Sequence, residues 1–234
     1  ELYRSLGDKG ALAIALSEMG DVALTLDEND EARRLYNASL DLWQGLNIPG
    51  GIAWARHNLA FLDLLNSGPE GVDDVLRECE DALRRVDDRY KLASLLVSRA
   101  IVAIYKHDYA LAHRLYGESL AMRLQLGDRR GMTDTLVIVG MNAHAQGQMA
   151  ACVQLLGVCK TARDRMEAPL AARYLPQHNQ FLANARAALG ERQFAALWNA
   201  GLALPLEAVV EAVCRSPYDA IALAGAAQAV EAET

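Results

Sequence analysis

One pattern of residues occurs twice in the sequence. The first copy, EARRLYNASLDLW, runs from Glu31 to Trp43, and the second, LAHRLYGESLAMR, runs from Leu111 to Arg123. Six residue types recur in the same order: Ala32/Ala112, Arg34/Arg114, Leu35/Leu115, Tyr36/Tyr116, Ser39/Ser119 and Leu40/Leu120. A fixed internal period predicts a repeat architecture, in which neighbouring units bury each other's apolar faces.

Half of this period is visible in the segments before the two copies. Four dipeptides recur at intervals of 40 residues, which is half the distance between the two copies: Met19-Gly20, Leu59-Ala60, Arg99-Ala100 and Val139-Gly140. Gly7-Asp8 matches Gly127-Asp128 at three times that interval. The sequence therefore predicts four units of about 40 residues each, a length typical of helical repeats.

Each unit contains two segments whose apolar residues recur at steps of three and four, the pattern of a helix with one apolar face. The first helices of the units are predicted near Ala11–Leu26, Ile52–Leu65, Leu92–Lys106 and Met132–Gln146. The second helices are predicted near Asn29–Leu46, Val72–Val86, Tyr109–Leu126 and Ala150–Met166. Short polar breaks separate them: Asp27-Glu28, Ser67-Gly68-Pro69, His107-Asp108 and Gly147-Gln148. Pro69 and Gly71 displace the second break, so the second unit is expected to be the least regular.

The small residue of each first helix is expected to pack against a large side chain of the second. The small residues are Gly20, Ala60, Ala100 and Gly140. The large partners are Tyr36, Tyr116 and, in the fourth unit, Leu156. Small residues opposite large ones allow helices to approach closely and fill the space between them.

The tail is predicted to form further helices. Leu170–Leu189 is predicted as a long helix interrupted by Pro176, followed by Glu191–Ala200, Leu206–Cys214 and Tyr218–Val230. Terminal units of a repeat array must cover its last apolar face, and Phe194 and Trp198 are suited to that role. We therefore predict repeats over residues 1–168 and capping helices of the same array over 169–234.

Composition argues against several classes of protein. The net charge is −7 and charges of both signs are interleaved, which argues against direct contact with nucleic acid. No apolar run approaches the ~18 residues of a membrane span. The four cysteines follow no zinc spacing, and a disulfide framework would need a denser set. We therefore expect a cytoplasmic protein.

Because the sequence starts at Glu1 within a helical pattern, we interpret it as part of a longer polypeptide.

The repeated residues resemble the tetratricopeptide (TPR) pattern of a Leu-Gly pair followed by Tyr, Ala, an aromatic residue and Ala. In the first unit Met19-Gly20, Ala32, Tyr36 and Ser39 fill such places, and Arg99-Ala100, Ala112, Tyr116 and Ser119 do so in the third. Arg99 departs from the pattern at an apolar position. The resemblance implies an all-α, right-handed superhelix of about four helix pairs with C-terminal capping helices.

Longer segments resemble the C-terminal sensor region of large bacterial regulators of the LuxR-type and SARP-type classes and related signal-transduction ATPases. They are LGDRRGM (Leu126–Met132), QLLGVCKTARDRMEAPL (Gln154–Leu170) and ARAALGERQFAALWNAGLALPLEAVVEAV (Ala185–Val213). Pro205 departs from this resemblance where a Ser or Thr helix cap is usual. The resemblance implies a TPR sensor that acts on upstream domains of the same polypeptide.

Three common enzyme motifs are absent from the sequence. The chain has no glycine-rich phosphate loop, His-Glu-x-x-His or Gly-x-Ser-x-Gly sequence. His107, Asp108 and His113 are interpreted as solvated polar residues rather than metal ligands. We therefore predict no catalytic residues, metal or cofactor. An enzyme with a groove site built on His57, Asp134 or His144 is the alternative.

In TPR arrays the first helix of each pair lines a concave groove. Carried over by the repeat spacing, the binding candidates are Trp54, His57, Phe61, Tyr105, Asp134, Met141 and His144. Aromatic side chains beside a few polar groups suit a peptide or a small ligand. For Trp54 and Phe61 the alternative is packing between helices.

These features lead to one functional hypothesis and one rival. The hypothesis is a non-catalytic module of a bacterial transcriptional regulator or signal-transduction protein, which binds a protein segment or small effector in its groove and regulates an upstream output domain. The rival is a scaffold for self-association without an effector. Homo-oligomer formation is left open in both.

Overall fold

The computed structural model describes residues 8–170 and 174–216, and every regular element in them is a helix. The α-helices are α1 (Lys9–Thr25), α2 (Asn29–Leu46), α3 (Pro49–Ser67), α4 (Val72–Arg85), α5 (Arg89–Tyr105), α6 (Tyr109–Leu126), α7 (Arg129–Ala145), α8 (Met149–Arg165), α9 (Leu175–Leu189), α10 (Glu191–Ala203) and α11 (Leu206–Arg215). The described residues form two compact structural units, 8–102 and 103–170 with 174–216, and the division falls within α5. We call them the first unit and the second unit, as distinct from the four repeats of the sequence. The predicted all-α class is confirmed.

The turns that follow helices α1 to α8 recur at an almost constant interval along the chain. Each contains a residue with positive φ, the left-handed conformation that ends many helices. These residues are Asp27, Asn47, Gly68, Asp87, His107, Gly127, Gly147 and Glu167. The interval changes only around Gly68, where a second positive-φ residue, Gly71, follows. The irregularity expected at this break is therefore present.

Aspartates begin several helices at matching positions. The carboxylates of Asp8, Asp108 and Asp128 accept hydrogen bonds from backbone N–H groups three residues on, at 2.9, 3.0 and 2.8 Å. Asp88 does the same for Lys91 at 3.1 Å. Each carboxylate satisfies a donor that the helix start leaves unpaired, a contribution of about 1 kcal/mol.

In the first unit, α1 and α2 are in close contact. A methyl group at Gly20 would lie 2.5 Å from the ring of Tyr36, so glycine is required here. The Ser39 hydroxyl donates to the carbonyl of Ala13 at 2.8 Å, and Tyr36 donates to Asp21 at 2.7 Å. The small residue and the tyrosine of this helix pair are thus in direct contact.

Arg99, which departs from the apolar repeat pattern, has a charged partner that the sequence pattern did not predict. Its guanidinium pairs with the carboxylate of Glu80 on α4, and both side chains are largely buried. Glu80 also accepts from Arg84 at 2.9 Å, and a carboxylate oxygen of Asp73 lies 3.9 Å from Arg99 Nε. A charge at an apolar repeat position is thus balanced within the first unit.

The second unit is centred on α8, whose residues 151–159 are all buried. Gly140 of α7 faces Leu156 of α8 at a distance that leaves room for a methyl group. On another side, α8 meets α10 so closely that a methyl group at Gly157 would lie 2.9 Å from the carbonyl oxygen of Trp198. Phe194 of α10 is buried beside Val153, so it covers part of α8.

The tail differs from prediction in one respect. Pro176 lies in the first turn of α9, which begins at Leu175, and does not interrupt a helix that starts at Leu170. Proline fits there because the first turn has no backbone acceptor for the N–H that proline lacks. α11 begins at Leu206 directly after Pro205, and the predicted helix at 218–230 lies outside the described residues.

No single described helix is long and apolar enough to cross a membrane. Within the same part of the chain, only α10 and α11 taken together reach the required length and composition, and they bend by 106° where they meet.

Candidate functional site

The second unit contains a cavity of about 590 Å³ between the start of α6 and the end of α7. Most of its lining side chains are polar or aromatic: Asp108, Tyr109, His113, Arg114, Tyr116, Asn142 and Gln146. Ala110 and Leu111 add an apolar wall. The volume lies in the range of ~300–1,000 Å³ that is common for small-ligand sites.

A chain of hydrogen bonds fixes one polar wall of this cavity. Gln146 Nε2 donates to Asn142 Oδ1 at 3.2 Å, and Asn142 Nδ2 donates to the Tyr116 hydroxyl at 3.3 Å. The Tyr116 hydroxyl lies 3.1 Å from His113 Nδ1. Tyr116 and Asn142 are completely buried, so the chain is anchored in the core of the unit.

The protonation of His113 follows from this arrangement. Burial lowers the pKa of His113 below its ordinary value, which favours the neutral ring near pH 7. Since the Tyr116 hydroxyl accepts from Asn142, it can donate its own proton to His113 Nδ1, and the ring proton is then on Nε2. The four side chains therefore carry no charge, and only His113 and Gln146, at the two accessible ends of the chain of hydrogen bonds, can offer a donor or an acceptor to a guest. Asp108 and Arg114 supply the charges of the lining.

The sequence contains a signal for this cavity that the repeat pattern does not explain. Asn142 occupies the position that Val22, Leu62 and Val102 occupy in the other three sequence repeats. A buried amide among apolar equivalents requires a polar partner. Tyr116 was predicted only as a packing residue, and it serves here also as the hydrogen-bonding partner.

In the first unit the predicted candidates Trp54, His57 and Phe61 form one stack on α3. The Trp54 and His57 ring centroids are 4.8 Å apart, and those of His57 and Phe61 are 6.3 Å apart. Trp54 and Phe61 are half-buried, whereas His57 is only 5% exposed. The expectation of an exposed stripe is therefore corrected for His57, which faces the interior.

His57 joins two helices of the first unit. Its Nε2 lies 2.9 Å from the Ser98 hydroxyl of α5, and its Nδ1 lies 3.2 Å from Asn58 Oδ1. Burial lowers the pKa of His57 to about 4, so the ring is neutral at pH 7. With Nδ1–H donating to Asn58, Nε2 accepts from Ser98.

The candidates Asp134 and His144 lie in the second unit with separate partners. Asp134 is exposed and pairs with Arg163 at 2.8 Å. His144 is half-buried, with its ring centroid 4.9 Å from that of Phe181 and its Nε2 3.4 Å from Asn184 Nδ2. Asp134 and His144 thus contact different helices and do not form one polar group.

The last two candidates differ in exposure. Met141 is half-buried on α7, and Tyr105 is exposed at the end of α5. The packing candidates, by contrast, are all buried: Gly20, Tyr36, Ala60, Ala100, Tyr116 and Gly140.

His107, Asp108 and His113, near the start of α6, each make a hydrogen bond within the protein. His107 lies in a turn with its Nδ1 2.9 Å from the Tyr109 hydroxyl. Among the described residues no group of three or more His, Cys, Asp or Glu side chains is arranged to hold a metal ion.

Comparison with known proteins adds no family assignment. No family model matches this chain, and no curated protein matches it either.

Proposed function

We propose that this chain is a non-catalytic binding module that takes a small effector or a protein segment. The observation that carries the proposal is the cavity of about 590 Å³ beside the Tyr116–Asn142–Gln146 chain of hydrogen bonds. Its polar groups are already held in place by buried partners. A guest would therefore lose little binding free energy to the ordering of these side chains.

The half-buried Trp54 and Phe61 of the first unit offer a second place for a guest. Large aromatic rings with one accessible face are common anchors at binding surfaces. This location corresponds to the groove that a TPR array would use. The proposal includes the TPR superhelix and the regulator context, which rest on the sequence resemblance alone.

In such a regulator, a guest would act through unequal affinity for two arrangements of the polypeptide. A ligand shifts an equilibrium only by the difference between its affinities for the two states. The partner affected would be an upstream domain of the same polypeptide, in the cytoplasm of a bacterium.

The test is a thermal-shift screen with metabolites and short peptides, followed by titration of each hit. We expect Gln146→Ala to weaken a cavity hit at least tenfold, because the substitution removes the outermost amide of the polar wall. Gln177→Ala, at an exposed site on α9, is the matched control and should bind normally. A hit that is lost in Trp54→Ala but kept in Gln146→Ala would assign the guest to the first unit instead.

The alternative is a self-association scaffold without an effector. Light scattering with and without each hit separates the two functions. A stable oligomer, together with no saturable ligand from the screen, would contradict the proposed binding function and favour the scaffold.

A further inference from the structure

Helix α1 has apolar residues on two opposite sides, and among the described residues only one of these sides is covered. Ala13, Ser17, Gly20 and Leu24 are buried on the side that faces α2. The opposite side carries a second set, which falls within about 60° on the helical wheel: Ala15, Met19, Val22 and Leu26. Met19, Val22 and Leu26 are 55, 58 and 65% exposed. We call the four residues of this second set the α1 stripe.

Matching positions are covered in the later helices that correspond to α1. Val22 corresponds to Leu62 of α3 and Asn142 of α7, and both are 0% exposed. Met19 corresponds to Val139, which is also fully buried. The exposure of the middle of the α1 stripe is therefore an exception within the repeat and not a property of the position.

Leu26 makes the α1 stripe longer than its counterparts. The other three sequence repeats carry polar side chains at this position: Asn66, Lys106 and Gln146. An apolar residue at this end is thus particular to α1, and it extends the uncovered surface by one helical turn.

In two matching cases the cover is the preceding helix of the chain. Leu62 packs in one cluster with Ala32, Leu35 and Tyr36 of α2. Asn142 is covered by α6, whose Tyr116 hydroxyl accepts its hydrogen bond. The α1 stripe is the equivalent surface without such a helix among the described residues.

The sequence before α1 indicates what covers the stripe. Leu6-Gly7-Asp8 repeats Leu126-Gly127-Asp128, which in the second unit joins the end of α6 to the start of α7. From this continuity we propose that the α1 stripe docks one amphipathic helix, which precedes α1 in the polypeptide as α6 precedes α7. Glu18 lies exposed at the border of the stripe, so a Lys or Arg on the facing edge of the docking helix would be complementary.

The size of the α1 stripe decides between this occupant and a second copy of the chain. The exposed parts of its three large side chains offer on the order of 300 Å² of apolar surface, whereas a stable interface needs roughly 800 Å² from each partner. Two copies joined through α1 alone would therefore associate weakly. A helix tethered to α1 gains a high effective concentration and needs no such area.

The experiment supplies the cover within one chain. In this chimera a copy of residues 109–127 replaces residues 1–7. The glycine that ends the copied segment then precedes Asp8, as Gly127 precedes Asp128. We expect the melting temperature to rise by at least about 3 °C, and the amides of α1 to exchange hydrogen more slowly than in the parent chain.

Two variants of this chimera control for the contact. Val22→Asp places a charge in the α1 stripe and should remove most of the gain. Tyr90→Asp introduces the same charge at another exposed site, in the first turn of α5, and should keep the gain.

Two results would overturn the proposal. If the amides of α1 exchange as fast in the chimera as in the parent, the added helix does not cover the α1 stripe, whatever the melting temperature. If the parent chain is a stable dimer that Val22→Asp dissociates, a second copy is the occupant instead.

Discussion

The contact between α8 and α10 depends on the absence of a side chain at Gly201. A methyl group there would lie 2.9 Å from the Cα of Gln154 and 3.0 Å from its carbonyl carbon, with the carbonyl oxygen closer still. All three atoms belong to the backbone of a buried helix, so none can rotate away. Gly201→Ala therefore forces the two helices apart.

The cost can be worked from these distances. Ordinary contacts of a methyl carbon begin near 3.4 Å. The helices must therefore separate by about 0.5–1 Å, which forfeits a quarter to a half of each dispersion contact across the interface. The Thr161 hydroxyl also donates to the carbonyl of Leu202 at 2.9 Å, and this bond would lengthen. Overpacked cores lose about 1–3 kcal/mol, and we expect roughly 3 kcal/mol here because backbone meets backbone.

The assay is urea denaturation followed by circular dichroism, with thermal melting in parallel. A loss of about 3 kcal/mol corresponds to a fall in melting temperature of roughly 6–12 °C for a chain of this size. Gly140→Ala is the matched control, since its methyl group would lie 3.7 Å from Leu156, an ordinary contact distance. At Gly117 nothing lies within 4 Å of the added methyl group. Gly117→Ala should therefore stabilise the chain by about 0.5–1 kcal/mol, since alanine is the better helix former.

The reasoning would be refuted if Gly201→Ala and Gly140→Ala had equal stabilities. That result would mean that α8 and α10 do not meet at Gly201, or that their contact is loose enough to accept a methyl group.

Three further predictions concern buried charge, pH and turns. Glu80→Ala removes the buried partner of Arg99 and should cost about 2–3 kcal/mol in urea denaturation, most of which adding Arg99→Met should restore. Below pH 6.5 the unfolded chain binds a proton at His57 that the folded chain, with a pKa of about 4, does not bind, so the free energy of unfolding falls as the pH is lowered. Between pH 6.5 and 4 this residue should account for a fall of roughly 3 kcal/mol, which disappears in His57→Gln and remains in His178→Gln. Glu167→Gly relieves a side chain at φ 51° and should raise the melting temperature, whereas Glu167→Ala keeps the Cβ and should not.

The helices and their turns were predictable from local sequence. Asn29–Leu46 and Tyr109–Leu126 begin and end at the predicted residues. The break at His107-Asp108 is a turn in which one residue has positive φ and the next caps a helix. Both the apolar period and the capping chemistry act over a few residues, so a single sequence carries them in full.

The candidate site was less accessible to the same reasoning. The repeat spacing selected Trp54, His57 and Phe61 as neighbours, and they do stack. It did not show that His57 turns into the first unit toward Ser98, because that hydrogen bond joins residues 41 positions apart. The cavity at Tyr116 and Asn142 depends in the same way on a contact between two helices.

Periodicity thus determined which segments are helices, where they turn and which residues recur on one face, since each of these follows from backbone geometry repeated along the chain. Packing across the chain settled how each exceptional residue is used. Arg99 and Asn142 break the repeat and find buried polar partners, and Gly201 permits a backbone contact that no local pattern encodes. Such partners are distant in sequence, and only their approach in three dimensions determines whether an irregular residue is tolerated, required or exposed.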